Sequence, residues 1–299
     1  MGNSLILLAF ASEKKLRTYS NYYIINITSA DLFVGLVCMP IRSMIFLFDG
    51  RWVFGQTFCH ISITFHNALP GISTFGVIVI SIDRYLATKY PLLHHRNKSK
   101  RVAGVVNIMT WVIPLMLWLG VSTIWDLVSP NERQNQAGFC QPNYVENLSA
   151  SIVIVLLAGY LPGLTILLIS IQIYHKVRWS GRNPLASRAT KDLVGINQHT
   201  GTTSSVNSER GPRSHGSKAL RTLAFLVLAF FITWTPSTGI LILRSAIPTL
   251  FVGLSFEIAL RETVRWVMFS NSAINPLAYA LAQPLVRKAI KKVCCRRLC

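Results

Sequence analysis

The chain has 299 residues and a formal net charge of +19, from 30 Lys and Arg against 11 Asp and Glu. Only 14% of its residues are charged, whereas 51% are hydrophobic. So much apolar side chain excludes a largely disordered chain. A soluble nucleic-acid binder of this net charge would be much richer in charged residues. Long charge-free stretches also argue against a soluble enzyme, so the first question is where the positive charge lies.

Six apolar stretches along the chain are long enough to cross a bilayer. A membrane helix needs about 20 apolar residues to cross roughly 30 Å of hydrocarbon. Helices are expected because lipid offers no partner to free backbone groups, and the sequence lacks the alternating pattern of a barrel. The six stretches are residues 20–47, 57–86, 103–125, 150–174, 219–243 and 263–283.

A shorter apolar stretch, residues 1–11, precedes these six. Its eleven residues would reach only about 17 Å as a helix, roughly half of the hydrocarbon core. A signal peptide cleaved near Ala11 is an alternative, although such a peptide would begin with basic residues. We expect a first span truncated at its N-terminus, which makes the fold an all-α bundle of seven transmembrane helices.

The basic residues fall mostly on one side of this predicted bundle. They concentrate in the connections around residues 14–17, 84–101 and 176–221 and in the tail after residue 284. An excess of Lys and Arg marks the cytoplasmic loops of membrane proteins, so we expect a multi-pass protein with a cytoplasmic C-terminus. The charge then faces the anionic lipid bilayer and cytoplasmic partners, and no nucleic acid is needed to explain it.

Two cytoplasmic segments differ in composition from the spans. Residues 180–217 are rich in Ser, Thr, Gly and Asn, which predicts a disordered loop. Residues 284–299 begin with a short amphipathic cytoplasmic helix, and Cys294 and Cys295 after it are candidates for palmitoylation. Free cytoplasmic thiols are the alternative. The membrane domain is therefore predicted over residues 1–283, with the amphipathic helix and basic tail after it.

Short motifs occur in the spans in a fixed order. They are Asp31 in the second span, Asp83-Arg84-Tyr85 at the end of the third, Trp111 in the fourth, Trp234 and Pro236 in the sixth, and Asn275-Pro276 with Tyr279 in the last. Each alone is weak evidence, but together they resemble the rhodopsin-like (class A) G-protein-coupled receptors over nearly the full length. Within that family, residues 16–22, 219–223 and 231–236 look most similar to aminergic receptors, the muscarinic acetylcholine receptors first and histamine receptors next.

The resemblance implies a receptor in the plasma membrane, not an enzyme, and one without a cofactor. Such a receptor passes an extracellular small-molecule signal to heterotrimeric G proteins when its sixth helix moves outward. Arrestin and receptor kinases are its expected further partners. A transporter or channel would need paired broken helices or a lined pore, and the sequence indicates neither. A truncated receptor-like protein that does not signal is the alternative, because the first span is short.

The resemblance also implies a switch on the cytoplasmic side. Asp83 and Arg84, followed by Tyr85, are expected to form a pair that breaks as the sixth helix swings out, so that Arg84 meets the G protein. Pro236 removes one backbone hydrogen bond and kinks its helix, so a small push on Trp234 becomes a larger movement. Asn275, Pro276 and Tyr279 would repack in the same event.

Asp31 is an ionisable residue in mid-membrane, where such residues are costly and usually functional. One carboxylate with further oxygen ligands suits a hard cation, and the resemblance implies an allosteric sodium ion that favours the inactive state. The alternative is a hydrogen-bond network that only holds the helices together. The hypothesised sodium ligands are Asp31, Ser73, Asn271, Ser272 and Asn275.

Two cysteines lie on the predicted outer side. Cys59 opens the third span and Cys140 lies in the following outer loop. Both face an oxidising compartment, where disulfides persist. The resemblance implies that these two are bonded to each other.

The predicted ligand pocket departs from the aminergic pattern. Seven residues after Cys59, where aminergic receptors hold the ligand ammonium on an Asp, this chain has His66. A histidine cannot replace a carboxylate as counter-ion, and a charge-assisted contact is worth roughly 1.5–3 kcal/mol, or one to two decades of affinity. Arg265 adds a positive charge near the mouth. The other predicted pocket residues are Trp234, Ser237, Thr238, Trp266 and Phe269.

We therefore expect a ligand that is not a typical amine, and an anionic or neutral small molecule fits His66 and Arg265 better. An amine receptor with an altered counter-ion is the alternative. For His66 itself, two interpretations remain open. Its ring either faces the ligand as a hydrogen-bond donor, or belongs to a core histidine whose hydrogen-bond partners are protein groups.

Overall fold

The structure, a computed structural model, describes residues 1–128, 138, 140, 142, 144, 147–182, 212–251 and 257–298. Within these ranges the chain forms helices and no strand. The helices are α1 (Gly2–Ser12), α2 (Tyr19–Phe33), α3 (Met39–Leu47), α4 (Gln56–Lys89), α5 (Pro91–Asn97), α6 (Lys100–Val128), α7 (Leu148–Ile154), α8 (Leu161–Arg182), α9 (Pro212–Ala246), α10 (Glu257–Ala282) and α11 (Pro284–Leu298).

Seven spans follow from these helices in the described part of the chain. Span 1 is α1, span 3 is α4, span 4 is α6, span 6 is α9 and span 7 is α10. Span 2 joins α2 to α3 through a wider π-helical turn at Val34–Cys38, and span 5 joins α7 to α8 through another at Val155–Tyr160. Helix α5 lies in the connection after span 3, and α11 forms the tail.

Five of the described helical stretches are long and apolar enough to cross a membrane, and they are Tyr19–Leu47, Gln56–Lys89, Lys100–Trp125, Leu148–Trp179 and Val227–Ala246. Span 7 is 26 residues long but carries several charges near its start. Span 1 is a shorter apolar helix. The predicted all-α bundle of seven spans is thus confirmed, and its spans match the apolar stretches of the sequence within a few residues at most ends.

Helices extend into both ends of residues 180–217, which the sequence predicted to be a disordered loop. Span 5 continues as a helix to Arg182, and span 6 already begins at Pro212. Pro184 follows shortly after Arg182, and the residue before a proline disfavours helix. Proline is favoured in the first helical turn, which suits the start at Pro212. The remainder of the predicted loop, residues 183–211, lies outside the described residues.

Span 3 occupies the centre of the bundle and packs against spans 2, 4 and 5. Its approach to span 2 is close at Gly76, where an added Cβ would come within 2.3 Å of the Ile27 side chain. Asn26 joins span 2 to span 4, because its amide donates to Thr110 Oγ1 at 2.8 Å and its Oδ1 accepts from the Trp111 indole at 2.7 Å. These contacts fix the helices that carry the site.

The tail helix α11 has one apolar face, as its sequence predicts. Val286, Ala289 and Val293 are buried, and their spacing of three and four residues places them on one side of the helix. That side packs against span 1, where Ile6 and Phe10 belong to the same apolar cluster. The short amphipathic helix is therefore present.

Candidate functional site

A cavity of about 370 Å³ opens at the end of the bundle that carries the Cys59–Cys140 disulfide, which we call the outer end. Its size falls within the range of small-molecule pockets, roughly 300–1,000 Å³. Residues from spans 2 to 7 line it, and Cys140, Pro142 and Tyr144 contribute to its wall from the connection before span 5. The site can therefore enclose a small ligand.

The predicted disulfide between Cys59 and Cys140 is confirmed. The Cα atoms of the two residues are 5.6 Å apart, a usual separation for a disulfide. The bond ties the outer connection to the start of span 3, and Cys140 lines the cavity. The disulfide thus holds part of the cavity wall in place.

Most of the predicted pocket residues come together at this cavity. Those that line it are His66, Trp234, Ser237, Thr238, Arg265 and Phe269. Trp266 is not among the lining residues, so its placement in the pocket needs correction. The cavity face of span 7 carries residues 261, 262, 264, 265, 268 and 269, most of which repeat at helical intervals. Trp266 is turned by about 100° from Arg265 on the helix, and it meets Phe269 edge-on at 6.3 Å.

His66 lines the cavity, but both of its ring nitrogens have backbone neighbours. Nδ1 lies 2.7 Å from the carbonyl oxygen of Ser62, one turn earlier in span 3. Nε2 lies 3.1 Å from the carbonyl oxygen of Cys38 in span 2. These contacts favour the core histidine with protein partners over the ligand-facing donor. His66 then forms part of the cavity wall and ties span 3 to the π-helical turn of span 2.

A charged triad at the cavity was not predicted from the sequence. Arg42 of span 2 forms a two-pronged salt bridge with Glu262 of span 7. Arg265, one turn later in span 7, lies 3.8 Å from the same carboxylate. The Arg42 and Glu262 side chains are only 12% and 9% exposed, whereas that of Arg265 is 35% exposed. One carboxylate is thus shared by two guanidinium groups.

The triad has two positive groups and one negative group, and the other charged side chains on the cavity wall are also positive. Arg244 and Arg261 also line the cavity, and Glu262 is the one acidic side chain among the described lining residues. Both of these arginines have interaction partners of their own. The sequence does indicate one half of the triad. Glu262 lies three residues before Arg265, a spacing that places both side chains on one helix face.

Asp31 lies in a polar cluster between spans 2, 3 and 7 and is fully buried. The Asn275 amide donates to Asp31 Oδ2 at 2.8 Å, and the same amide lies 3.4 Å from Ser73 Oγ. The Ser73 and Ser272 side chains also interact with the Asp31 carboxylate. Of the predicted sodium ligands, these four come together, whereas none of the hydrogen bonds recorded for the described residues joins Asn271 to Asp31.

Two oxygen atoms near this cluster have no hydrogen-bond partner. They are Asp31 Oδ1 and Asn3 Oδ1, both buried, while the Asn3 amide donates to the Ser272 carbonyl at 3.1 Å. Buried acceptors without a donor are costly, and a carboxylate with neutral oxygens suits a hard cation. The donor set of Asp31, Asn3 and Ser73 therefore fits a sodium ion.

At the opposite end of the bundle, Asp83 is bonded to residues other than Arg84. His94 Nε2 of helix α5 lies 2.8 Å from Asp83 Oδ1, and Ser20 donates to Asp83 Oδ2 at 3.1 Å. The expected Asp83–Arg84 pair is absent from the salt bridges of the described residues, which corrects the sequence-based prediction. Arg84 is turned by about 100° along the helix from Asp83, while α5 folds back beneath that carboxylate. Tyr85 accepts from Lys89 at 2.6 Å.

The remaining predicted switch residues lie in spans 6 and 7. Pro236 stands inside span 6. Trp234, two residues before it, stacks on Phe230 with ring centroids 5.2 Å apart. Pro276 lies inside span 7. The Tyr279 hydroxyl is buried without a partner.

The chain was compared with known proteins. Residues 2–279 match the family model described as "7 transmembrane receptor (rhodopsin family)". The chain is 29% identical to trace amine-associated receptor 8b of Rattus norvegicus, over 98% of the chain and 81% of the relative. It is 28% identical to trace amine-associated receptor 13c of Danio rerio, over 100% and 82%. It is 30% identical to trace amine-associated receptor 6 of Homo sapiens, over 98% and 80%.

Proposed function

Because the chain belongs to the seven-transmembrane receptors of the rhodopsin family, we propose that it binds a small anionic ligand in its outer cavity. Ligand binding then drives span 6 outward and activates a heterotrimeric G protein. The receptor works in the plasma membrane with its C-terminus in the cytoplasm, an orientation favoured by the excess of basic residues in the loops on that side. Arrestin and receptor kinases act on the same cytoplasmic face.

The observation that carries this proposal is the sharing of Glu262 by Arg42 and Arg265. Arg42 satisfies the carboxylate with two contacts, so the longer contact of Arg265 leaves most of its donors available. A guanidinium binds a carboxylate or phosphate through two parallel hydrogen bonds. The cavity thus offers an anion a partly exposed cation beside a surplus of positive charge.

The same arrangement explains why a ligand at the cavity reaches span 6. Trp234, Ser237 and Thr238 of span 6 line the same cavity as the triad. Thr238 Oγ1 bonds the Trp234 carbonyl at 3.0 Å, near the proline kink. A ligand that presses on this segment acts at Pro236, where the missing backbone bond makes the helix easier to bend.

A second candidate is an amine ligand, because the relatives found are trace amine-associated receptors. Glu262 would then be the counter-ion, since it is the one described acidic residue on the wall. An ammonium would have to take this carboxylate from Arg42 and leave a buried guanidinium unpaired, which is costly. The narrower resemblance to muscarinic and histamine receptors finds no support among these relatives.

Two further features belong to the proposal. A sodium ion held by Asp31, Asn3 and Ser73 would neutralise the buried carboxylate and stabilise the inactive bundle. Palmitoylation would anchor α11 to the membrane at Cys294 and Cys295, whose thiols are free in the structure, the second one exposed.

The test is a G-protein activation assay on cells that display the chain at their surface. Matched pairs of ligands, each pair with the same carbon skeleton ending in a carboxylate or an ammonium, are applied over a concentration series. We expect activation by the carboxylates and a much weaker response to the amines. Activation by the amines alone would support the second candidate instead, and surface display without any response would indicate a non-signalling protein.

A further inference from the structure

The cavity wall is apolar where spans 3, 4 and 5 line it. We use the name side branch for the part of the cavity bounded by Gly71 of span 3, Pro114, Leu117 and Trp118 of span 4, and Leu157 and Ala158 of span 5. Apart from the indole nitrogen of Trp118, these side chains are apolar. A site of this composition favours an apolar occupant over water.

The side branch borders the surface of the bundle that faces lipid. Leu117 and Leu157 line the cavity, and yet they are 53% and 60% exposed. Span 3 packs closely against spans 4 and 5, and Trp118 of span 4 and Ala158 of span 5 belong to one apolar cluster. The side branch is therefore bounded by both spans, with Leu117 and Leu157 at its lipid-facing edge.

Small residues line the side branch. A Cβ added at Gly71 would lie 3.7 Å from Pro114 and 3.9 Å from the Trp118 indole nitrogen, so span 3 approaches span 4 to within ordinary contact distance there. Ala158 presents only a methyl group on the facing wall. The π-helical turn at Val155–Tyr160 gives span 5 one extra residue in this turn, and Leu157 and Ala158 lie within it.

The side branch and the charged triad belong to one cavity. We infer that the ligand is an anionic amphiphile, whose anionic head binds at Arg265 while its hydrocarbon chain fills the side branch. This inference rests on the proposed function, because it takes the anionic head from it. It adds the apolar chain and places that chain against the cavity walls of spans 4 and 5.

Length dependence is the direct consequence. Each methylene transferred from water into an apolar site contributes about 0.8 kcal/mol, which corresponds to about fourfold in affinity. Potency should therefore rise about fourfold per added methylene until the side branch is full, and then level off. A ligand held only by its head at the triad would show no such rise.

The experiment measures G-protein activation by linear alkyl carboxylates from acetate upward, with alkyl phosphates as a parallel series. The two series distinguish a carboxylate head from a phosphate head. Ala158→Phe places a ring in the side branch, and Leu156→Phe is the matched control, because Leu156 is half exposed but does not line the cavity. We expect Ala158→Phe to abolish the gain with length and to retain the response to the shortest active anion.

Two results would overturn the inference. Short anions that act as strongly as long ones on the unmodified chain would remove the hydrocarbon site and leave the proposed anionic receptor intact. An equal loss in Ala158→Phe and Leu156→Phe would do the same, because it would place the effect outside the cavity. If anions of every length fail and amines activate, the proposed function falls as well. The length series on the unmodified chain gives an answer even if Ala158→Phe does not reach the surface.

Discussion

Arg42 in span 2 and Glu262 in span 7 form a salt bridge across the outer end of the bundle, although 220 positions separate them in the sequence. Their side chains are almost fully enclosed by protein. Arg265 lies next to them, more exposed and 3.8 Å from the same carboxylate. The bridge therefore joins two spans and leaves a positive charge facing the cavity.

Glu262→Gln removes the carboxylate and leaves both guanidinium groups to an incoming anion. We expect the potency of an anionic ligand to rise about tenfold, the equivalent of about 1.4 kcal/mol. The same change leaves Arg42 buried without a charged partner, which costs about 3–5 kcal/mol, so the melting temperature should fall. Potency assays and thermal unfolding in detergent check the two effects. If Glu262→Gln reaches the cell surface but loses its response to anions, and does not respond to amines either, the role given to the triad is contradicted.

His94→Ala frees the Asp83 carboxylate, which His94 holds at 2.8 Å. Asp83 is then available to Arg84, whose pairing would restrain the cytoplasmic end of span 3. We expect basal nucleotide exchange on the G protein to fall. His95→Ala is the matched control, since His95 is exposed on the same short helix. Higher basal activity in His94→Ala than in the control would show that the histidine itself is the restraint.

Tyr279→Phe should stabilise the receptor, because the Tyr279 hydroxyl is buried without a partner. Removing an unsatisfied buried polar group recovers about 1–3 kcal/mol. Tyr23→Phe is the comparison, since the Tyr23 hydroxyl donates to the Tyr19 hydroxyl at 2.8 Å and its loss should destabilise. Thermal unfolding of both variants is the measurement. A lower melting temperature for Tyr279→Phe would mean that the hydroxyl has a partner, such as an ordered water.

Asp31→Asn removes the only charge of the proposed sodium site. We expect ligand potency in the unmodified receptor to fall as sodium replaces a large organic cation at constant ionic strength, and to be independent of sodium in Asp31→Asn. Constant ionic strength separates site binding from general screening. Asn271→Ala should keep the sodium effect. Equal sodium sensitivity with and without the carboxylate would leave Asp31 as a structural hydrogen-bonding residue.

The sequence predicted the seven spans because each span depends on local composition. It predicted the disulfide because both cysteines lie in the same compartment. Long apolar stretches must become helices in lipid, and Cys59 and Cys140 both lie on the outer side. The triad was missed because Arg42 and Glu262 meet only after spans 2 and 7 have packed. For the same reason the sequence did not reveal that His94, and not Arg84, holds Asp83.

Neighbouring positions in one helix also limited the site prediction. Arg265 and Trp266 are adjacent in sequence, but only Arg265 lines the cavity. His66 does line it, yet the backbone of spans 2 and 3 engages its ring nitrogens. The side branch combines residues of spans 3, 4 and 5, so no single stretch of sequence encodes it.

The central claim is that the cavity binds an anion through Arg265, and direct binding to the purified receptor tests it best. The affinity for one alkyl carboxylate is measured on the unmodified chain, on Arg265→Gln and on the control Arg51→Gln, whose exposed arginine does not line the cavity. We predict that Arg265→Gln weakens binding by about one to two decades, as expected for a charge-assisted hydrogen bond of about 1.5–3 kcal/mol, and that Arg51→Gln binds normally. Unchanged affinity in Arg265→Gln, or tighter binding of the matching alkylamine than of the carboxylate, would contradict the claim.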